Sequence, residues 1–75
     1  MKKILKVVDK DGHFIKICLL EKNDKVKQDI IYLCYQTKDG SQSFAMTPDE
    51  ALYIAMGLNK AVCEATAEGR VRLEL

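Results

Sequence analysis

The sequence has no tryptophan, one proline, one histidine and no apolar run long enough to cross a bilayer. Two lysines follow Met1, but no apolar stretch of signal-peptide length comes after them. We therefore expect neither a membrane span nor a membrane partner, and we predict a cytoplasmic location.

The sequence also lacks the residue spacing of a metal or redox site. Its three cysteines, Cys18, Cys34 and Cys63, are widely separated, and none belongs to a C-x-x-C pair. A structural zinc site needs four ligands, which this pattern does not offer. We interpret the cysteines as reduced, buried, small hydrophobic side chains and predict no metal site and no cofactor.

No group of residues indicates catalysis. His13 is the only histidine, and no nucleophile stands beside it. A general base needs an orienting partner and a substrate cleft, for which so short a chain has little room. The segment 9–12 begins like a calcium loop but lacks the later ligands, so its aspartates are interpreted as turn residues. We expect no enzyme activity and no catalytic residue.

The length and charge of the chain favour a small domain that associates. Its 75 residues predict one α+β domain spanning 1–75, and a chain of this size buries only about 60% of its unfolded surface. Small domains often compensate by forming oligomers. The net charge of +1 argues against a general polyanion binder. Eight lysines nevertheless lie in residues 1–27, against four acids.

The clearest local signal is the start of a helix at Thr47-Pro48-Asp49-Glu50. Thr47 can serve as N-cap, Pro48 suits the first helical position, and Glu50 completes a capping box. We predict a helix over residues 48–68, ended by Gly69.

Period-two patterns predict strands at residues 4–8, 13–20, 28–37 and 42–46, and at the alternating segment 70–75. The resulting order, β-β-β-β-α-β, is an α+β fold. It consists of a four-stranded antiparallel meander, one long helix packed on the sheet, and a C-terminal fifth edge strand. That last strand either lies beside the first, giving order 5-1-2-3-4, or pairs with a second subunit.

The faces of the sheet depend on turn length. We take both Lys-Asp-Gly segments, 10–12 and 38–40, as three-residue loops. One face of the first hairpin then carries Lys2, Ile4, Lys6, Phe14, Lys16 and Cys18. In the second hairpin, Tyr32, Cys34, Phe44 and Met46 share one face, and Ile31, Leu33, Tyr35 and Ala45 share the other. Neither face of that hairpin is polar, so we expect cover on both sides, which one helix cannot provide.

The helix has more apolar surface than one contact needs. A helix stripe predicted to pack on the sheet comprises Ala51, Ile54, Ala55, Leu58, Ala61, Val62 and Ala65. Beside it lies a helix patch, Leu52, Met56 and Cys63, which is our candidate protein interface. Gly57 either allows close approach by another element or is simply tolerated. We expect a homodimer, formed through the helix patch or through the second face of the sheet.

A second surface indicates a different function. Lys2, Lys6, Phe14 and Lys16, with Tyr32 or Tyr35 further along, form a candidate nucleic-acid face, because bases can stack on aromatic rings beside cations. The order of four strands and a helix resembles that of the PC4-type and Pur-alpha-type modules, which implies single-strand binding; the final strand departs from them. Our first expectation is a small, non-enzymatic, homodimeric interaction or regulatory module that binds a protein through an apolar surface. The alternative is a binder of single-stranded nucleic acid.

Overall fold

The computed structural model describes residues 1–67, which form an α+β fold. Four strands, β1 (Lys2–Val8), β2 (Phe14–Leu20), β3 (Ile30–Thr37) and β4 (Gly40–Met46), make one open antiparallel sheet in that order. One helix, α1 (Pro48–Ala67), follows and packs against the sheet at β3 and β4. The predicted class and meander are confirmed. The predicted fifth strand, 70–75, lies outside the described residues.

The helix begins with the predicted capping box. Glu50 donates its backbone N–H to Thr47 Oγ1 at 3.2 Å, and Thr47 donates its own N–H to Glu50 Oε1 at 2.8 Å. Each side chain thus satisfies a backbone donor that the first turn leaves without a helical partner. Asp49 and Glu50 also place negative charge near the positive end of the helix dipole.

The turn between β1 and β2 is built around Asp9. Its Oδ1 accepts the backbone N–H groups of Asp11, at 2.8 Å, and His13, at 3.0 Å. Gly12 completes the turn with a φ of 82°, a left-handed conformation that glycine adopts without strain. The interpretation of Asp9 as a turn residue is confirmed.

The turn between β3 and β4 differs from the prediction, and the difference reverses the faces of β4. Thr37 pairs with Gly40, so only Lys38 and Asp39 lie between the strands, and the loop has two residues rather than three. Gly40, with a φ of 134°, already belongs to β4. A register shift of one residue turns every side chain to the other side of a sheet.

The correction separates apolar from polar residues in the second hairpin. Phe44 lies opposite Leu33 and Met46 opposite Ile31, whereas Ser43 lies opposite Cys34. Directly opposed residues share a face. The predicted membership of the two faces is therefore wrong: one face is mainly apolar, and the other mixes Gln36, Ser41 and Ser43 with Tyr32, Cys34 and Ala45.

Strand β1 contains a register shift that the sequence does not signal. The pairing with β2 shifts between Lys3 and Leu5, so Lys3 lies opposite Cys18 and Lys2 opposite Leu19. An extra residue in one strand leaves one position unpaired, here Ile4. Within the described residues, β1 and β4 are the two edges of the sheet.

The helix contacts its own sheet only near its start. Glu50 and Ile54 line an open pocket of about 430 Å³ together with Leu33, Phe44 and Met46. Further along, Leu58 is 62% exposed and Val62 44%, so the helix stripe does not pack on the sheet along its predicted length. The radius of gyration is 15.0 Å, against about 11 Å for a compact domain of 75 residues.

The described part of the chain has almost no interior. Across residues 1–66, Cys18 is the only buried residue. Cys34 is half-buried and Cys63 is exposed. The three cysteines are unpaired, as expected, but the prediction that all three are buried is wrong for Cys63, because nothing in the described chain covers the helix there.

Candidate functional site

The corrected register gives the sheet two chemically different faces. Cross-strand partners define an apolar face, which consists mainly of Leu5, Val7, Ile15, Ile17, Leu19, Ile31, Leu33, Tyr35, Phe44 and Met46, with Lys2, Thr37 and Gln42 as its polar members. They also define a basic face, which carries Lys3, Lys6, Phe14, Lys16, Cys18, Tyr32, Cys34, Gln36, Ser41 and Ser43, together with the apolar Val8, Leu20, Ile30 and Ala45. A sheet of this kind normally packs its apolar face and exposes its polar one.

The apolar face is open at both edges of the sheet. Val7 on β1 is 54% exposed, Ile15 on β2 is 47% exposed, and Phe44 on β4 is 54% exposed. Phe44 stacks on Tyr35, with ring centroids 6.2 Å apart, and the Tyr35 hydroxyl donates to Gln42 Oε1 at 2.7 Å. The stacked pair places two aromatic rings side by side on this face.

The predicted protein interface on the helix is accessible. Leu52 is 60% exposed and Met56 58%, and Cys63 is exposed as well. The helix stripe is also largely uncovered, as the exposures of Leu58 and Val62 show. At 100° per residue, patch and stripe together span about 220° of the helix. Asn59 and Thr66 lie between them, so the helix presents two neighbouring apolar surfaces.

The basic face brings together three of the four predicted nucleic-acid residues. Lys6 lies directly opposite Lys16, and the Lys6 ammonium is 4.5 Å from the centroid of the Phe14 ring. Lys2 lies opposite Leu19, so its placement on this face is wrong, and the shift in β1 puts Lys3 there instead. Sequence reasoning missed Lys3 because the shift has no glycine or proline to mark it.

The cation pair on the basic face is not neutralised within the described chain. Among residues 1–67, His13 is the only basic side chain in contact with a carboxylate, that of Asp9, so neither Lys6 nor Lys16 contacts one there. Like charges directly opposed across two strands destabilise a sheet. A bound anion would relieve that repulsion.

Beside the lysines, the basic face holds a shallow hollow with hydrogen-bonding groups. It measures about 290 Å³ and is lined in part by Phe14, Lys16, Gln36, Ser41 and Ser43. Tyr32 lies on the same face, whereas Tyr35 lies on the apolar one. The sequence left these two tyrosines as alternatives, and the register selects Tyr32.

The residues of the β1–β2 turn form a further polar cluster. Asp9, Asp11 and His13 bring potential ligand atoms within 4.8 Å of one another. His13 Nδ1 lies 3.2 Å from Asp9 Oδ2. Desolvation raises the pKa of Asp9, but the N–H groups of Asp11 and His13 and the nearby imidazole outweigh it, so this pKa lies below its usual value. These contacts explain the cluster as part of the turn.

Comparison of the chain with protein-family models, curated proteins and solved structures gave no match. The likeness in element order to single-strand-binding modules therefore has no matching family or structure behind it. In the part of the chain that the structure describes, no helix is long and apolar enough to span a membrane.

Proposed function

We propose that this chain is a small, non-enzymatic interaction module that acts as a homodimer through the apolar face and the helix. The observation that carries the proposal is the near absence of an interior: only Cys18 is buried across residues 1–66. Large apolar side chains on both the sheet and the helix are about half exposed. Contiguous apolar surface of this extent is typical of a protein interface.

The exposed area is sufficient for a stable interface. The chain exposes 6560 Å², whereas a compact monomer of 8.5 kDa exposes about 4700 Å². A standard interface removes about 800 Å² from each partner. Formation of a homodimer can therefore bury much of the excess exposed area, and the rest is available to a further protein partner. The unpaired cysteines support a cytoplasmic site of action, where thiols stay reduced.

Light scattering on a sizing column tests the proposal. We expect a mass about twice 8.5 kDa at both low and high salt, since apolar burial is not screened by salt. Leu52→Asp and Met56→Asp should each shift the species toward monomer, and Lys60→Asp, which puts the same carboxylate on the polar side of the helix, should not. A monomer at high protein concentration would contradict self-association.

A second candidate function, binding of single-stranded nucleic acid, is favoured by the pair Lys6 and Lys16. The two ammonium groups lack carboxylate partners within residues 1–67, and Phe14 stands beside them as a stacking surface. Phosphates can neutralise the lysines while a base stacks on the ring. The hollow lined by Gln36, Ser41 and Ser43 offers hydrogen-bonding groups to a base edge.

Fluorescence anisotropy with a labelled oligothymidylate measures this second function. We expect binding that weakens with salt. The slope of log affinity against log salt concentration should become smaller in magnitude by about 0.7 for each phosphate-binding lysine that is removed. Lys6→Glu and Lys16→Glu should weaken binding most, and Lys25→Glu, in the loop after β2, should change it least. Equal losses of affinity for all three variants would indicate a general effect of charge and would refute a site on the basic face.

A further inference from the structure

We propose that, in the homodimer, the helix of each chain packs across the β1–β2 half of the other chain's apolar face. This arrangement rests on the self-association proposed above and identifies the occupant of the open sheet face as a second copy of the chain. Three features support it: the reach of the helix, the shape of the sheet and the coverage of both apolar surfaces at once.

The helix is long enough to reach a second sheet. After Ile54, where it contacts its own sheet, thirteen residues of α1 remain. They extend about 20 Å at 1.5 Å per residue. Four strands spaced about 4.8 Å apart make a sheet about 15–19 Å wide. The free part of the helix is therefore about as long as the whole sheet is wide, which is more than enough to cross the β1–β2 half.

The uncovered half of the apolar face contains a hollow for large side chains. The hollow measures about 310 Å³, and Val7, Ile15 and Tyr35 are among its lining residues. Leu58 and Val62 of the helix stripe are exposed and of suitable size to enter it. Inserting side chains into such a hollow gives the close packing that stable interfaces share with protein interiors.

Coverage of both apolar surfaces favours a helix-to-sheet contact over the other symmetric arrangements. Two helices packed only on each other would leave both sheets open. Two sheets packed face to face would leave both helices open. A two-fold dimer with reciprocal helix-to-sheet contacts covers both surfaces at once.

The same arrangement also accounts for the exposed helix patch. A helix that lies on the partner's sheet uses the stripe for that contact. The patch of Leu52, Met56 and Cys63 is centred about 140° further round the helix and remains free to contact the second helix of the dimer. The two apolar surfaces of α1 are thereby assigned to two different contacts.

Cross-linking between two single-cysteine variants tests the arrangement. The background carries Cys18→Ala, Cys34→Ser and Cys63→Ser, and its dimer mass and circular dichroism are checked first. One chain, enlarged by a tag, carries Ile15→Cys on the sheet; the other carries Leu58→Cys on the helix. After mixing and treatment with a short bismaleimide, we expect a cross-linked product containing one chain of each kind. Lys60→Cys, on the polar side of the helix, should give little of it with Ile15→Cys.

Each outcome separates this inference from the proposed function. A dimer that gives only like-with-like products, or none, with both Ile15→Cys/Leu58→Cys and a second pair, Val7→Cys/Val62→Cys, overturns the reciprocal arrangement and leaves self-association standing. A monomer in light scattering overturns both. A mixed product from either pair supports the arrangement, and the second pair serves if a variant of the first fails to fold.

Discussion

Neutralising Lys16 should stabilise the protein, because it removes one of two like charges held directly opposite each other on β1 and β2. The Cα atoms of Lys6 and Lys16 are cross-strand partners, and within residues 1–67 neither side chain has a carboxylate neighbour. Cross-strand charge pairs contribute about 0.2–1 kcal/mol, with a destabilising sign for like charges. We expect Lys16→Gln to raise the free energy of unfolding by an amount in that range.

Lys6→Gln should behave differently, although it removes the same repulsion. The Lys6 ammonium lies over the Phe14 ring, and an exposed contact of this kind stabilises by about 0.5–1 kcal/mol. Loss of that contact offsets the relief of repulsion, so we expect a stability near that of the unmodified protein or slightly below it. The difference between the two variants is the quantity that the geometry predicts.

Urea unfolding at one fixed protein concentration measures both effects, since self-association makes stability depend on concentration. At about 0.01 M salt the Debye length is about 30 Å, and at 1 M it is about 3 Å, so the gain from Lys16→Gln should shrink as salt rises. Lys25→Gln, in the loop after β2, removes the same charge without a cross-strand lysine and should give no such gain. A destabilised Lys16→Gln, or equal effects for Lys6→Gln and Lys16→Gln, would refute the reasoning.

Three further changes test the local structure. Thr47→Ala should lower the free energy of unfolding by about 0.5–2 kcal/mol in thermal melts, because it removes the side chain that accepts the Glu50 N–H; an unchanged melt would argue against the capping box. Since the pKa of Asp9 is lower in the folded protein than in the unfolded chain, its contribution to stability is complete above about pH 3.9 and is lost as pH falls through the folded value. Urea midpoints between pH 5 and 2 should therefore fall more for the unmodified protein than for Asp9→Asn, and parallel curves would contradict this. Gly57→Ala should stabilise the helix by about 1 kcal/mol, since an added Cβ meets no atom within 4 Å; if it instead weakens self-association in light scattering, a partner packs closely at that position.

Local signals in the sequence predicted the fold well because each depends on neighbouring residues. The capping box needs only Thr47 and Glu50, and both of its hydrogen bonds are present. The four strands follow from alternation and turn residues, and their observed bounds differ from the predicted ones by at most two residues. The meander follows because strands that are consecutive in sequence usually lie next to each other in a sheet.

The faces of the sheet were harder to predict, because one residue decides them. Lys38-Asp39-Gly40 is compatible with a three-residue loop or with a two-residue loop followed by a glycine in the strand, and the structure adopts the second. The choice of a three-residue loop placed Phe44 on the wrong face of the sheet. The shift near Lys3 likewise moved Lys2 off the basic face without any sequence marker.

The candidate surfaces were only partly predictable for a different reason. Composition indicates which helix residues are apolar, but not how far the helix stays in contact with its sheet. The stripe beyond Ile54 was expected to pack inside the chain and is exposed. That exposure depends on the direction in which the helix leaves β4, which local sequence patterns do not determine.

The two edges of the described sheet differ in their resistance to aggregation. β1 carries three lysines and an interrupted ladder, two features that hinder the addition of a foreign strand. β4, with the sequence Gly-Ser-Gln-Ser-Phe-Ala-Met, has no charge, no proline and no such interruption. Growth of intermolecular β-structure should therefore start at β4. A single lysine placed in this strand, for example Ser41→Lys near its first end, would make the chain easier to keep monodisperse at high concentration.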